Sequence, residues 1–410
     1  MSERVRLSVE DYLSELLELV TFIDEVDVLP VVDAAGRTLA VPVVAASDVP
    51  IMANSAMDGF AVRAVDLAVG RTLQVVADVP AGSALDPALR VGECGRIMTG
   101  APVPSDADTI VPVELVEQSA DRTRITLKEI PSPGAHVRGA GEDFTGGAEV
   151  LPAGIVLGPR ELGLVSAAGV PEVSVVRRPR VAVVATGDEL RPPGGPLERG
   201  QIFESNGLFL ATALAAAGAE VVARLVLPDD DGEFTAGLER AAADADLVVL
   251  SGGVSVGDHD VVRIVLQERA TSAFRHVLMQ PGKPQGWAVW QAENGRSVPL
   301  VALPGNPLST MVSFEVFVTA LLDRMCGRVT PGWQTAVAAC DWSPPSGRRQ
   351  FVPVMLAIDA SGRQQVRPVH RRGSASHMVS AAARADGLAM VEAEVNHVTA
   401  GDTVSFRRYR

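Results

Sequence analysis

The sequence predicts a multidomain chain of α/β and β architecture: a doubly wound α/β domain, an elongated N-terminal region, a β-rich inserted domain and a C-terminal β-barrel-like domain. Three observations predict it. Between Arg180 and Gly327, apolar strand-like runs alternate with helical patterns. From about Asp48 to Ile130, and again from about Gln350 to Arg410, short β-rich runs are broken by Pro and Gly. The 410 residues are also too many for one hydrophobic core. The expected boundaries are 1–47 with 131–178 for the N-terminal region, 48–130 for the insert, 179–327 for the α/β domain and 328–410 for the last domain.

Taken in order, Ser8 is placed to cap a helix reaching Val20, with Asp11 third after the cap and Leu13, Leu16, Leu17 and Val20 on one face. Arg122 to Ile130 alternates polar and apolar residues, as a half-buried strand should. Pro131-Ser132-Pro133-Gly134 then punctuates a return to a Gly-rich segment ending near Arg177-Arg178-Pro179. Val181–Ala185, Val221–Leu227, Leu247–Leu250 and Val298–Leu303 read as strands, with helices at Asn206–Ala217 and Leu308–Met325. This alternation implies right-handed βαβ units in a parallel sheet. The last domain should turn at Ala360-Ser361-Gly362 and Ala400-Gly401-Asp402.

A 47% hydrophobic content supports packed cores, and a net charge of −14 argues against nucleic-acid binding. An acidic chain can still bind an anion where local donors or a metal ion override the global field. Lysine occurs only at Lys128 and Lys283. Cys94, Cys326 and Cys340 show neither paired nor metal-ligand spacing, and the six histidines form no cluster. No signal peptide or membrane-length apolar run is evident, so a cytoplasmic protein without membrane partners is expected.

Three Gly-rich loops carry the chemistry. The first, Ser251-Gly252-Gly253-Val254-Ser255-Val256-Gly257-Asp258-His259-Asp260, follows an apolar strand. The second is Gln280-Pro281-Gly282-Lys283-Pro284, and the third, Pro304-Gly305-Asn306-Pro307, opens a helix. Glycines let backbone N–H groups approach an anion, a helix N-terminus adds partial positive charge, and Lys283 adds a full one. Three such loops in one parallel-sheet unit predict a phosphorylated ligand across its carboxyl edge.

These loops resemble those of the molybdopterin molybdenumtransferase family, the MoeA and gephyrin E-domain proteins. Asn54-Ser55-Ala56-Met57-Asp58-Gly59-Phe60-Ala61-Val62, Ile97-Met98-Thr99-Gly100-Ala101-Pro102, Arg138 with Gly141-Glu142-Asp143, and Thr186-Gly187-Asp188-Glu189-Leu190 extend the resemblance along the chain in the family's order. It implies that molybdate is inserted into adenylylated molybdopterin with release of AMP, in a homodimer with shared active sites. It also implies a molybdopterin-binding role for the α/β domain. Two anions brought together need a divalent cation, expected to be Mg²⁺.

On that resemblance Asp58, Glu189 and Lys283 are the expected catalytic residues, and Asp58, Glu189, Asp229 and Asp260 the metal ligands. Substrate contacts fall to Thr99, Asp143, Ser251, Gly252, Gly253, Ser255, Gly257, Asp260, Gly282, Pro304, Gly305, Asn306, Pro307, Arg349 and Ser374. Asp188 reads as a loop cap, and the Asp229-Asp230-Asp231 run could equally be a solvated loop. One departure is Gln280, where many family members carry a basic residue; its charge is either lost or moved to a nearby arginine. The competing expectations are the preceding adenylyltransferase, a non-catalytic gephyrin-like scaffold, and another pterin- or nucleotide-binding enzyme.

Overall fold

A computed structural model of the protein describes residues 6–254, 260–370 and 374–409. Two compact units are present: residues 28–175, and the N-terminal residues through 27 together with those from 176 onward.

The 28–175 unit is built on a six-stranded sheet, in the order Thr109–Pro112, Gly59–Val62, Glu93–Ile97, Thr72–Val79, Arg124–Leu127 and Val116–Gln118. All neighbours are antiparallel except Thr72–Val79 with Glu93–Ile97. Phe60, Val62, Leu73, Val111 and Ile125 are buried in its core. The alternation expected over Arg122–Ile130 holds only for Arg124–Leu127, because Arg122 turns at a φ of +58°. Outside this sheet, Val43–Val44 pairs with Glu149–Leu151, and Asn54–Ser55 with Val137–Arg138. Residues from before the sheet therefore meet residues from after it.

The second unit holds the α/β fold. Its elements are β1 (Arg180–Thr186), α1 (Asn206–Ala216), β2 (Glu220–Leu227), α2 (Asp231–Ala242), β3 (Leu247–Ser251), α3 (Val261–Arg269), β4 (Thr271–Val277), β5 (Pro284–Gln291) and β6 (Ser297–Leu303). The sheet runs Arg6–Leu7, β4, β5, β6, β3, β1, β2. Strands β6, β3, β1 and β2 are mutually parallel, whereas β5 is antiparallel to both neighbours. The all-parallel expectation is corrected here: a sharp return at the second Gly-rich loop replaces a helical crossover.

Helices α2 and α3 pack together on one face. Helix α1 packs with a long C-terminal helix on the other, which is the doubly wound arrangement. Coverage of both faces explains why β3 is buried from end to end and reads as a continuous apolar run. The long helix is α-helical over Pro307–Ser313, π-helical over Phe314–Val318 and α-helical again over Thr319–Met325.

The first helix is shorter than expected, spanning Val9–Leu17, with Ser8 Oγ accepting the Asp11 N–H at 3.0 Å. Tyr12 and Leu16 are fully buried, while Leu13 and Leu17 are only half-buried. At the C-terminus, strands Gln334–Ala338, Arg349–Ile358, Gln364–Pro368, Gly387–Val391 and Thr403–Arg408 close into a five-stranded barrel. Val352, Val354, Val366, Ala389 and Phe406 fill its interior. Its first hairpin turns where Asp359 accepts N–H groups from Ser361 and Arg363.

Candidate active site

After β1 the chain runs to the edge strand β2, then crosses back over β1 to β3, which lies between β1 and β6. This reversal leaves a cavity of about 600 Å³ at the carboxyl ends of the strands. Close approach of the loops depends on glycine. Gly252 has a φ of +105°, and a Cβ there would lie 2.9 Å from the Thr186 carbonyl oxygen; one on Gly305 would lie 3.4 Å from the Gly252 Cα. Asn206, which opens α1, ties the loops from their other side. Its Nδ2 donates to Ser251 Oγ at 2.9 Å and to the Gly305 carbonyl at 2.7 Å. Gly253, Pro304, Asn306 and Pro307 complete this wall.

Glu189, Asp229 and Asp260 line the same cavity. Asp229 accepts the Thr186 hydroxyl at 2.8 Å and the Asp188 N–H at 3.3 Å, while Asp188 accepts the Asp229 N–H at 3.1 Å. Asp188 is thus a loop cap, and Asp229 joins the Thr186 and Asp188 loop to its own. Glu189 folds back over Gly187, where a Cβ would lie 2.4 Å from a carboxylate oxygen. Among the described residues no three His, Cys, Asp or Glu side chains converge into a ready-made cage. What Glu189, Asp229 and Asp260 offer is carboxylate oxygen, the donor type that a hard divalent cation combines with water and phosphate oxygens.

A second cavity of about 190 Å³ adjoins the first, sharing Pro284, Pro304 and Asn306. Gly282, Lys283, Ser309, Arg348, Ser374 and Ser376 line it. Lys283 is exposed, and Arg348 donates to Gln280 Oε1 at 3.3 Å, so a guanidinium does stand beside the uncharged residue. Arg349 belongs elsewhere: it pairs with Glu10, and with Glu392 at 2.7 Å. The arginine lining this cavity is Arg348, in the bend just before the strand that Arg349 opens. Ser374 is buried and accepts from Gln350 Nε2 at 3.2 Å.

The expected site residues Asp58, Thr99 and Asp143 lie in the 28–175 unit. The Thr99 N–H and hydroxyl both donate to Asp58 Oδ1, at 2.7 and 2.8 Å. These bonds, the backbone one first, hold the Asp58 carboxyl below its ordinary range. Asp143 is exposed, and its N–H is bound to the Val49 carbonyl at 3.0 Å. Ser255 and Gly257, with Asp258 and His259, fall outside the described residues. Asn206, Ser309, Arg348 and Ser376 also line these cavities but were not singled out from sequence; for Asn206, a lone Asn at a helix start carries only a capping signal.

Fold and cleft together define an α/β protein of the doubly wound class, built to hold a ligand over its carboxyl edge. Three family models match in succession: the MoeA N-terminal region (domain I and II) over residues 7–169, a probable molybdopterin binding domain over 182–324, and the MoeA C-terminal region (domain IV) over 335–408. The chain is 41% identical to molybdopterin molybdenumtransferase 2 of Mycobacterium tuberculosis over 387 residues, 91% of this chain and 92% of that one. It is 34% identical to the molybdopterin molybdenumtransferase of Haemophilus influenzae, covering 98% of each. The crystal structure of a molybdopterin biosynthesis MoeA protein from Pyrococcus horikosii is similar at a TM-score of 0.79 and 31% identity, covering 99% of this chain and 100% of that one. The chain belongs to the molybdopterin molybdenumtransferase family.

Proposed function

We propose that this enzyme completes molybdenum cofactor synthesis, inserting molybdate into adenylylated molybdopterin and releasing AMP. The observation that carries the reading is the pair of adjoining cavities. The larger offers glycine main chain and the start of a helix to a pyrophosphate. The smaller offers Lys283, Arg348 and the hydroxyls of Ser309 and Ser374 to a tetrahedral dianion. Pro284, Pro304 and Asn306 stand between the two anions, whose repulsion must be offset at such range. Mg²⁺ bound by Glu189 and Asp260, with Asp229 nearby, would supply that countercharge.

Asp58 and Asp143 would complete the site from the second chain of a homodimer, with Thr99 keeping Asp58 ionised. The working compartment on this reading is the cytoplasm; no helix of the described residues is long and apolar enough to cross a membrane. Matches on both sides of the molybdopterin-binding domain favour this over an adenylyltransferase, which needs that domain alone. The test mixes purified protein, adenylylated molybdopterin, Mg²⁺ and molybdate and follows AMP. Release should track molybdate. AMP release indifferent to molybdate, or none, would turn the reading towards a scaffold.

A further inference from the structure

Gln285, the second residue of β5, is fully buried. Its amide nitrogen donates to the Gly282 carbonyl at 2.8 Å and to Ser313 Oγ at 2.6 Å. A carbonyl only accepts, so the atom facing Gly282 must be the nitrogen. Oε1 is then buried without a partner among the described residues. Methionine would fill a similar volume without burying an unpaired acceptor, so the amide is a costly way merely to occupy space.

The first group it joins lines the smaller cavity, and the second lies on the helix that forms another of its walls. Gly282 precedes Lys283, while Ser313 lies one turn beyond Ser309 on the same helix face. The loop and the helix also lean together there: a Cβ on Gly282 would lie 3.1 Å from Ser313 Oγ. Immediately after Ser313 the helix changes to π pitch, so the regular α ladder does not continue to hold that turn.

We propose that Gln285 is a positioning residue that clamps the Lys283 loop to the Ser309 helix and so sets the width of the small-anion cavity. This rests on the assignment of that cavity to molybdate. Gln285→Met, Lys283→Ala and the double variant are titrated with molybdate by calorimetry, with adenylylated molybdopterin titrated in parallel and melting recorded. Molybdate affinity should fall about tenfold in Gln285→Met, while pterin affinity and melting hold. Adding Gln285→Met to Lys283→Ala should then cost nothing more, because the clamp acts through the lysine.

Unchanged molybdate affinity in folded Gln285→Met, or effects that simply add, overturn the proposal. If Lys283→Ala itself leaves molybdate affinity unchanged, the assignment of the cavity fails and takes the proposal with it. Should Gln285→Met not fold, Ser313→Ala breaks the same clamp from the helix side and must weaken molybdate selectively; if it does not, the proposal is overturned.

Discussion

Asp58 illustrates how little a depressed carboxyl says by itself. Asp121 is lowered to about 2 by the Ser119 hydroxyl and the Thr123 N–H within one surface turn, and Asp86 is lowered by Ser105 from a separate loop. Asp58 is lowered in the same way by Thr99, from a distant part of the chain, so only the surrounding motif separates it from those two. The charge can be tested apart from the hydrogen bonds. In Asp58→Asn the amide oxygen keeps accepting both Thr99 donors, and only the ionised oxygen is replaced. Because the folded carboxyl is held low, any stability it contributes is present above its unfolded value and fades as pH falls through the folded one. Asp58 is exposed, so that contribution is small, and at about pH 6 to 9 Asp58→Asn should abolish AMP release while melting within about 2 °C of the parent. Loss of stability in step with activity would return Asp58 to a structural role, tying its loop to that of Thr99. Arg348 teaches the complementary lesson: the resemblance pointed to this segment, but which of two adjacent arginines lines the cavity was visible only in three dimensions.

The strands of the parallel part of the sheet were the most legible in the sequence. Strands β1, β3 and β6 match their expected ranges to within a residue at each end, as their buried apolar runs require, and the more exposed edge strand β2 matches as closely. The β4 and β5 pair was not legible, because what satisfies its polar residues lies far away in the chain. Arg275 in β4 and Trp287 in β5 both reach Glu15, at 3.1 and 2.8 Å. The loop after β3 has a stricter requirement than its glycine count suggests. Gly253 has a φ of +68°, and a Cβ there would lie 2.1 Å from a Val262 methyl group, at the start of α3. Gly253→Ala should thus destabilise this unit by about 2–4 kcal/mol, combining left-handed strain with a clash. A lower denaturant midpoint for the unit checks it; an unchanged one would mean that α3 can retreat freely.

At the scale of the whole molecule the expected site residues divide between the two units, with Asp58 in one and Lys283 in the other. If each site takes its residues from two chains, Asp58→Asn and Lys283→Ala lesions of one chain damage different sites. Refolding the two inactive variants together pairs them at random, so about half the dimers are mixed and each of those keeps one intact site. Activity should recover to about a quarter of wild type per chain. A mixture shown to contain mixed dimers yet still inactive would place both residues in the same site.

The scarcity of lysine gives the smaller cavity a use of another kind. Lys128 and Lys283 are the only side-chain amines in 410 residues, and both are exposed. An amine-directed reagent therefore has almost nowhere else to go on this surface, and peptide mass spectrometry can separate one modified lysine from the other. Lys128 then becomes an internal standard, and the rate of labelling at Lys283 becomes a direct gauge of whether the anion cavity is filled.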